Sequence, residues 1–184
     1  GASCLGQLSG LEERKDVYKE AVDTLADGEQ TTLVLVSRPE TAPLAEAARA
    51  SRELLELGVA NQVLVLNGVL AADAATDDIS KKLYDKQQAA LSRIPSDLSA
   101  LSAYAVPPRS YNMEGIESIR MMLHKDNITA GSDTLTDAAP PALAALVDDI
   151  ADTGKKVIFT MGKGGVGKTT VAAALALGLE KKGK

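Results

Sequence analysis

The chain has 184 residues, of which 45% are hydrophobic, so it is long enough and apolar enough to bury the core of one ordinary domain. Only 3% are aromatic, which predicts a core of Leu, Val, Ile and Ala, as is common in α/β proteins. The net charge of −5 gives no support for nucleic-acid binding, the single cysteine excludes an internal disulfide, and no apolar run approaches the roughly 20 residues that span a bilayer.

The first part of the chain alternates predicted helices and strands. After a loop-like, Gly-rich start over residues 1–10, the apolar residues Tyr18, Ala21, Val22 and Leu25 recur at helical spacing and predict an amphipathic helix from Leu11 to about Ala26. Continuous apolar runs at Thr31–Ser37 and Gln62–Leu66 predict strands covered on both faces, as in a parallel sheet. The helix predicted between these strands begins after Pro39 and ends at Gly58.

The remaining elements are weaker in pattern and are interrupted once. The acidic end of a loop over Ala71–Asp78 offers an N-cap for a helix that carries Ile79, Leu83, Ala90 and Ile94 and is closed by Pro95. The other elements are a short strand at Ala103–Val106, a helix around Ile116–Leu123 and a short helix around Leu143–Ile150. Residues 125–141 have no apolar period and are rich in Asp, Thr, Ala and Pro, which predicts a linker. His124, at a helix end, is expected to be a cap or a solvated residue.

The most informative stretch lies near the end of the chain. The apolar run Val157–Met161 leads into Gly162-Lys163-Gly164-Gly165-Val166-Gly167-Lys168-Thr169-Thr170, and an Ala/Leu-rich helix follows. A strand, a G-x-x-x-x-G-K-T loop and a helix in this order indicate a Walker A phosphate loop. Loop N–H groups and the helix N-terminus attract phosphate, so we expect Lys168 to contact the β- and γ-phosphates of ATP and Thr169 to hold Mg²⁺.

The lysine inside the loop carries a resemblance to one family. The form G-K-G-G-V-G-K-T-T is similar to the deviant Walker A loop of nitrogenase iron protein, the Min and Par partitioning ATPases, the tail-anchored-protein targeting ATPases and the arsenical pump-driving ATPases. In that family this lysine reaches the nucleotide of the opposite subunit. The resemblance therefore implies a catalytic role for Lys163 across a dimer-like interface, and a solvated lysine on an exposed turn is the alternative.

The position of the loop in the chain predicts an incomplete fold. Only the 15 residues from Thr170 to Lys184 follow Thr169, too few for another strand and its crossover. We therefore predict an α/β, P-loop NTPase-type, mostly parallel sheet with flanking helices. In this interpretation residues 1–124 end a first ATPase half, 125–141 form the linker and 142–184 start a second half. A circularly permuted single domain is the alternative, and exposed sheet edges are expected.

This two-half order resembles the arsenical pump-driving ATPases, and the resemblance spans the whole chain. It rests on the loop and on the order of Ser3-Cys4-Leu5-Gly6, Leu66-Asn67-Gly68-Val69-Leu70, Asn112-Met113-Glu114-Gly115 and Leu146–Ala151. It implies that Cys4 helps to bind As(III) or Sb(III), soft ions that thiolates select, and that Asn67 contacts adenine. A free loop cysteine and a strand-ending Asn-Gly turn are the respective alternatives.

The function that the resemblance implies is a cytoplasmic, Mg²⁺-dependent ATPase. It would energise efflux of arsenite or antimonite through a membrane carrier at the inner face of the plasma membrane, with As(III) or Sb(III) as allosteric ligand and transported ion. The two halves would pair within the full chain, no nucleic acid is expected, and this stretch alone would not hydrolyse ATP. The alternatives are a targeting ATPase, which needs a Met-rich groove although only four Met occur, and a DNA-binding Par-type ATPase.

Overall fold

A computed structural model describes residues 5–109, 115–123 and 140–184, with side chains described from Arg14 onward. The predictions that concern Cys4, Asn112–Glu114, His124 and the linker up to residue 139 fall outside these residues.

Helices and parallel strands alternate along the described part of the chain. The strands are β1 (Thr31–Ser37), β2 (Gln62–Asn67), β3 (Ala103–Val106) and β4 (Val157–Met161). The helices are α1 (Leu5–Ala26), α2 (Thr41–Glu56), α3 (Asp78–Leu91), α4 (Ser96–Ser99), α5 (Gly115–Arg120), α6 (Leu143–Thr153) and α7 (Lys168–Glu180), with 3₁₀ turns at Ala72–Ala74 and Met121–Leu123. Among the residues just delimited, no helix combines the length and apolar character needed to cross a bilayer.

The four strands form one sheet in the order β3-β2-β1-β4, and every pairing is parallel. Leu35 of β1 stands opposite Leu64 on one side and Met161 on the other. The predicted α/β architecture with a parallel sheet is therefore confirmed. All carboxyl ends lie at the same edge, as parallel pairing requires.

The two faces of the sheet are both buried, which explains the continuous apolar strands. Side chains alternate across a strand, so Leu33 and Leu35 point to one face and Val34 and Val36 to the other, and all four are fully buried. Helices α2, α3 and α4 cover the leucine face, and α6, α7 and the Met121–Leu123 turn cover the valine face. Burial of each such side chain contributes about 1.5–3 kcal/mol, so these strands hold the three layers together.

Strand β4 joins this sheet although it lies beyond the predicted linker. It pairs with β1 from Thr31↔Val157 to Leu35↔Met161. Just before it, the main-chain N–H groups of Lys156 and Val157 donate to Gln30 O at 2.8 and 2.9 Å. The segments on either side of the linker thus share one sheet, and β1 has a neighbour on each side. The assignment of these segments to two ATPase halves stays a prediction.

Two helices differ from their predicted form. Helix α1 begins at Leu5, so the predicted loop over residues 1–10 is wrong from that residue onward. Tyr18 is 72% exposed, and Ile79 of α3 is 82% exposed, although both belong to predicted apolar faces. Helical spacing detects an apolar stripe, but it does not reveal whether a neighbour covers that stripe.

Candidate nucleotide-binding site

The Gly-rich loop lies at the carboxyl edge of the sheet. Strand β4 ends at Met161, helix α7 begins at Lys168, and the loop between them turns above the end of β1. Asn67, the last residue of β2, lies at the same edge. This edge is where open α/β sheets bind their ligands. The fold therefore brings the loop residues and Asn67 together, although they belong to different predicted halves.

Two glycines of the loop are required by their surroundings. A Cβ on Gly162 would collide with the main-chain oxygen of Val36, so the loop leaves β4 in direct contact with the backbone of β1. Gly167 has φ +95° and forms the N-cap of α7, and a Cβ there would collide with the side-chain amide nitrogen of Asn67. Close packing and a positive φ thus explain why these positions hold glycine.

The base of the loop is anchored in the core, while its rim is open. Val166 is 2% exposed and packs on the valine face, where Val171 of the first turns of α7 is fully buried. Lys163, Gly164 and Gly165 are exposed. A rigid base with an exposed rim leaves loop N–H groups accessible at the positive end of a 13-residue helix.

The two lysines occupy different positions in the loop. The ammonium group of Lys168 donates a hydrogen bond to the carbonyl oxygen of Lys163 at 3.0 Å, so its side chain spans the loop. The Lys163 side chain is exposed at the rim. Lys168 therefore lies where it can contact phosphates held by the loop, and Lys163 lies where a second molecular surface could meet it.

The hydroxyl residues after the lysine begin helix α7. Thr169 is exposed and Thr170 is half-buried. Mg²⁺ prefers oxygen ligands and keeps several waters, with few protein ligands and substrate phosphates completing its octahedron. Within residues 14–109, 115–123 and 140–184, no group of three or more His, Cys, Asp or Glu side chains could hold a metal ion. Thr169 is exposed, so its hydroxyl suits a single protein ligand to an Mg²⁺ ion whose other ligands are water and nucleotide phosphates.

Asn67 contacts the loop itself. Its side-chain nitrogen donates to the carbonyl oxygen of Val166 at 3.0 Å, across 99 residues of sequence. The Asn-Gly pair also forms the turn suggested by its sequence, since Gly68 has φ +86°. Gly68 N and Val69 N donate to Val106 O of β3 at 2.8 and 3.0 Å. The turn that carries Asn67 is therefore tied to the neighbouring strand.

Gln87 is a site-supporting residue that sequence reasoning missed. It is 4% exposed, its Nε2 donates to Gly68 O at 2.9 Å, and its Oε1 accepts from Leu70 N at 2.9 Å. A buried side-chain amide with both ends paired fixes the backbone that it holds. The available signal was its spacing, because Gln87 falls in the helical stripe of Leu83 and Ala90.

The structure describes the remaining elements near the site only in part. Cys4 lies outside the described residues. The loop after β3 is described as far as Arg109, whose Nη2 donates to Met121 O at 3.4 Å. Arg109 follows β3 at the carboxyl edge, so this loop starts at the same edge as the Gly-rich loop.

Comparison with known proteins agrees with this geometry. The family model of the anion-transporting ATPases matches residues 1–125 and 155–184. An arsenical pump-driving ATPase of Escherichia coli is 42% identical over 187 aligned positions, and one of Acidiphilium multivorum is 41% identical; both alignments cover all of this chain and 32% of the relative. The chain thus spans about a third of the length of the curated relatives it matches. The match covers both sides of the predicted linker and includes the Gly-rich loop. Because it extends over most of the sequence, the chain belongs to the anion-transporting ATPase family.

Proposed function

We propose that the Gly162–Thr170 loop binds ATP with Mg²⁺ and that the chain is part of a longer, two-half ATPase. One observation carries the nucleotide assignment. A parallel strand, a loop that accepts only glycine at Gly162 and Gly167, and the N-terminus of α7 meet at the carboxyl edge of the sheet. Such a loop presents main-chain N–H groups to an anion.

Each loop side chain has its own part in this proposal. Lys168 exchanges its hydrogen bond to Lys163 O for the β- and γ-phosphates and stabilises the charge on the transferred phosphoryl group. Thr169 holds Mg²⁺, which supplies further charge neutralisation when bound. Lys163, exposed at the rim, contacts the nucleotide of the opposite half. The two lysines of this loop therefore serve two different nucleotides.

The activity of the whole protein is inferred from its relatives. The matched relatives are called arsenical pump-driving ATPases and are about three times as long as this chain. The parent protein accordingly hydrolyses ATP in the cytoplasm to energise arsenite or antimonite efflux, docked on a membrane carrier at the inner face of the plasma membrane. As(III) or Sb(III) binds at Cys4 together with thiolates elsewhere in the parent and favours closure of the two halves.

The test is ATPase activity of the full-length parent with and without antimonite. Wild type, Cys4→Ser and the neighbouring control Ser3→Ala are compared. Stimulation that is lost in Cys4→Ser and kept in Ser3→Ala supports the proposal. Hydrolysis indifferent to antimonite in wild type would overturn the metalloid part and favour a targeting or partitioning ATPase. The isolated 184-residue chain should bind ATP without turnover, and efficient hydrolysis by it would contradict the two-half assignment.

A further inference from the structure

We infer that Asn67 is a positioning residue that aims the phosphate-binding N–H groups of the loop, in addition to any contact with the nucleotide base. The inference deepens the proposed nucleotide function and rests on it and on the sheet that β2, β1 and β4 share in this chain, and not on the division into two halves. It comes from the hydrogen bond that joins the Asn67 side chain to Val166 O at 3.0 Å. The resemblance implies that Asn67 contacts the adenine of the nucleotide, whereas this hydrogen bond joins Asn67 to the protein's own loop.

The chemistry of the contact fixes its direction. A main-chain carbonyl only accepts hydrogen bonds, so the group of Asn67 that faces Val166 O must be the amide NH₂. The same nitrogen lies against Gly167, where a Cβ would collide with it. Asn67 therefore touches both residues of one peptide unit in the loop, the carbonyl of Val166 and the Cα of Gly167.

Holding that carbonyl also orients an N–H group. The peptide unit is planar and trans, so the Gly167 N–H points opposite to the Val166 C=O. With the carbonyl directed at Asn67, the N–H of Gly167 is directed away from Asn67. Gly167 is the N-cap of α7 and has φ +95°. Because glycine has no Cβ, its backbone can rotate into and out of this conformation more freely than that of other residues. A side chain that pins this flexible peptide lowers the cost of organising the loop around phosphate.

Asn67 is itself held firmly enough to act as a support. The turn after it is bonded to Val106 O through Gly68 N and Val69 N. On the other side, the buried amide of Gln87 bonds to Gly68 O and Leu70 N. Helix α3 and strand β3 therefore both fix the turn from which Asn67 reaches the loop. This network is a positioning device assembled from residues about 60 to 100 positions away from the loop.

The chain offers a matched control at the other end of the same strand. Asn61 precedes β2, and its Nδ2 donates to Thr31 O at 2.8 Å and to Thr32 Oγ1 at 2.9 Å. Asn61→Ala therefore removes side-chain amide bonds to a neighbouring segment at the amino edge, away from the loop. This variant measures how much stability and affinity change when a side-chain amide is lost at a position that does not contact the Gly-rich loop.

The experiment measures binding of MgATP and of magnesium tripolyphosphate, a ligand without a base, by calorimetry. Wild type, Asn67→Ala, Asn67→Asp and Asn61→Ala are compared in the 184-residue chain. We expect Asn67→Ala to weaken binding of both ligands by about two- to tenfold, the factor of one net hydrogen bond. Asn67→Asp should weaken both further, because an oxygen then faces Val166 O. Asn61→Ala should leave both affinities unchanged.

Other outcomes overturn the inference. If Asn67→Ala weakens ATP binding but not tripolyphosphate binding, Asn67 serves the base only. If Asn67→Ala and Asn61→Ala lose the same affinity for the two ligands, the Asn67 contact only stabilises the fold and does not position the loop. If wild type binds neither ligand, the proposed nucleotide function fails, and hydrogen exchange of the amides at 164–168 decides. Faster exchange in Asn67→Ala than in Asn61→Ala then supports positioning, and equal exchange rejects it.

Discussion

The ammonium group of Lys168 lies 3.0 Å from the main-chain oxygen of Lys163, so the contact between the two lysines of the loop does not involve the Lys163 side chain. Removing the Lys163 side chain therefore leaves the Lys168 hydrogen bond intact. The two positive charges can thus be tested separately by substitution.

The first prediction separates these two charges. Lys168→Ala should weaken MgATP binding to the 184-residue chain by about ten- to a hundredfold, because charge-assisted hydrogen bonds to phosphate are lost. Lys163→Ala should change this affinity little, since its side chain is exposed at the rim. In the full-length protein, Lys163→Ala should lower kcat with little change in KM. Equal losses of affinity in the two variants would contradict the assigned roles.

The second prediction concerns the packing of α7 on α6. A Cβ on Gly178 would lie 2.7 and 2.9 Å from the two γ-methyls of Val147. Overpacking costs about 1–3 kcal/mol, more than the ~1 kcal/mol that Ala gains over Gly in a helix. Gly178→Ala should therefore lower the free energy of unfolding.

The matched test of this packing is a double-mutant cycle. In the Val147→Ala background both clashing methyls are gone, and the nearest remaining atom is the flexible end of Leu123, whose Cδ1 lies 3.1 Å from the Cβ position. Gly178→Ala should then raise stability through helix propensity. Urea unfolding of the four variants measures the change of sign. A Gly178→Ala effect of the same size in both backgrounds would exclude the steric explanation.

The sheet could be predicted from sequence where the pattern is local. Thr31–Ser37 and Gln62–Asn67 were recognisable because both faces of a parallel strand are apolar, and α7 because a Gly-rich loop precedes it. The N-cap at Asp77 was indicated by the acidic residues before α3. These features depend on neighbours in sequence.

Contacts between distant residues could not be predicted in the same way. The pairing of Leu35 with Met161 depends on the order of strands in the sheet, which strand patterns do not specify. The bond from Asn67 to Val166 depends on that order and on the loop path. For Tyr18 and Ile79 the apolar spacing was visible, but burial requires a partner surface, and both are exposed.

The third prediction tests a bond between β3 and α6. The hydroxyl of the buried Tyr104 donates to the exposed Asp149 carboxylate at 2.5 Å. Tyr104→Phe should lower the free energy of unfolding by about 1 kcal/mol, which is below the ~1.5–3 kcal/mol typical of bonds to charged groups because solvent reaches the acceptor. Tyr18→Phe, at a 72% exposed position, should have no effect. Equal urea midpoints for Tyr104→Phe and wild type would show that the bond adds nothing.

The fourth prediction is a pH dependence at the start of α3. The Asp77 carboxylate accepts hydrogen bonds from Ser80 N at 2.9 Å and Ile79 N at 2.8 Å, and Asp77 N donates to Ser80 Oγ at 3.0 Å. The bonds from Ser80 and then Ile79 lower the pKa of Asp77 below its ordinary value of 3.8. Because the folded pKa is below the unfolded one, this stabilisation is present above the unfolded pKa and is lost as pH falls through the folded pKa.

Asp77→Asn isolates this effect, because Asn caps helices comparably but does not titrate. Wild type should melt higher than Asp77→Asn near neutral pH, and the difference should shrink as the pH falls below about 4, where the unfolded carboxyl protonates. Thermal unfolding followed by circular dichroism from pH 7 to pH 3 measures it. Asp78→Asn, which leaves both N–H bonds to Asp77 in place, is the control. A difference between wild type and Asp77→Asn that stays constant over this range would mean that the cap does not titrate with folding.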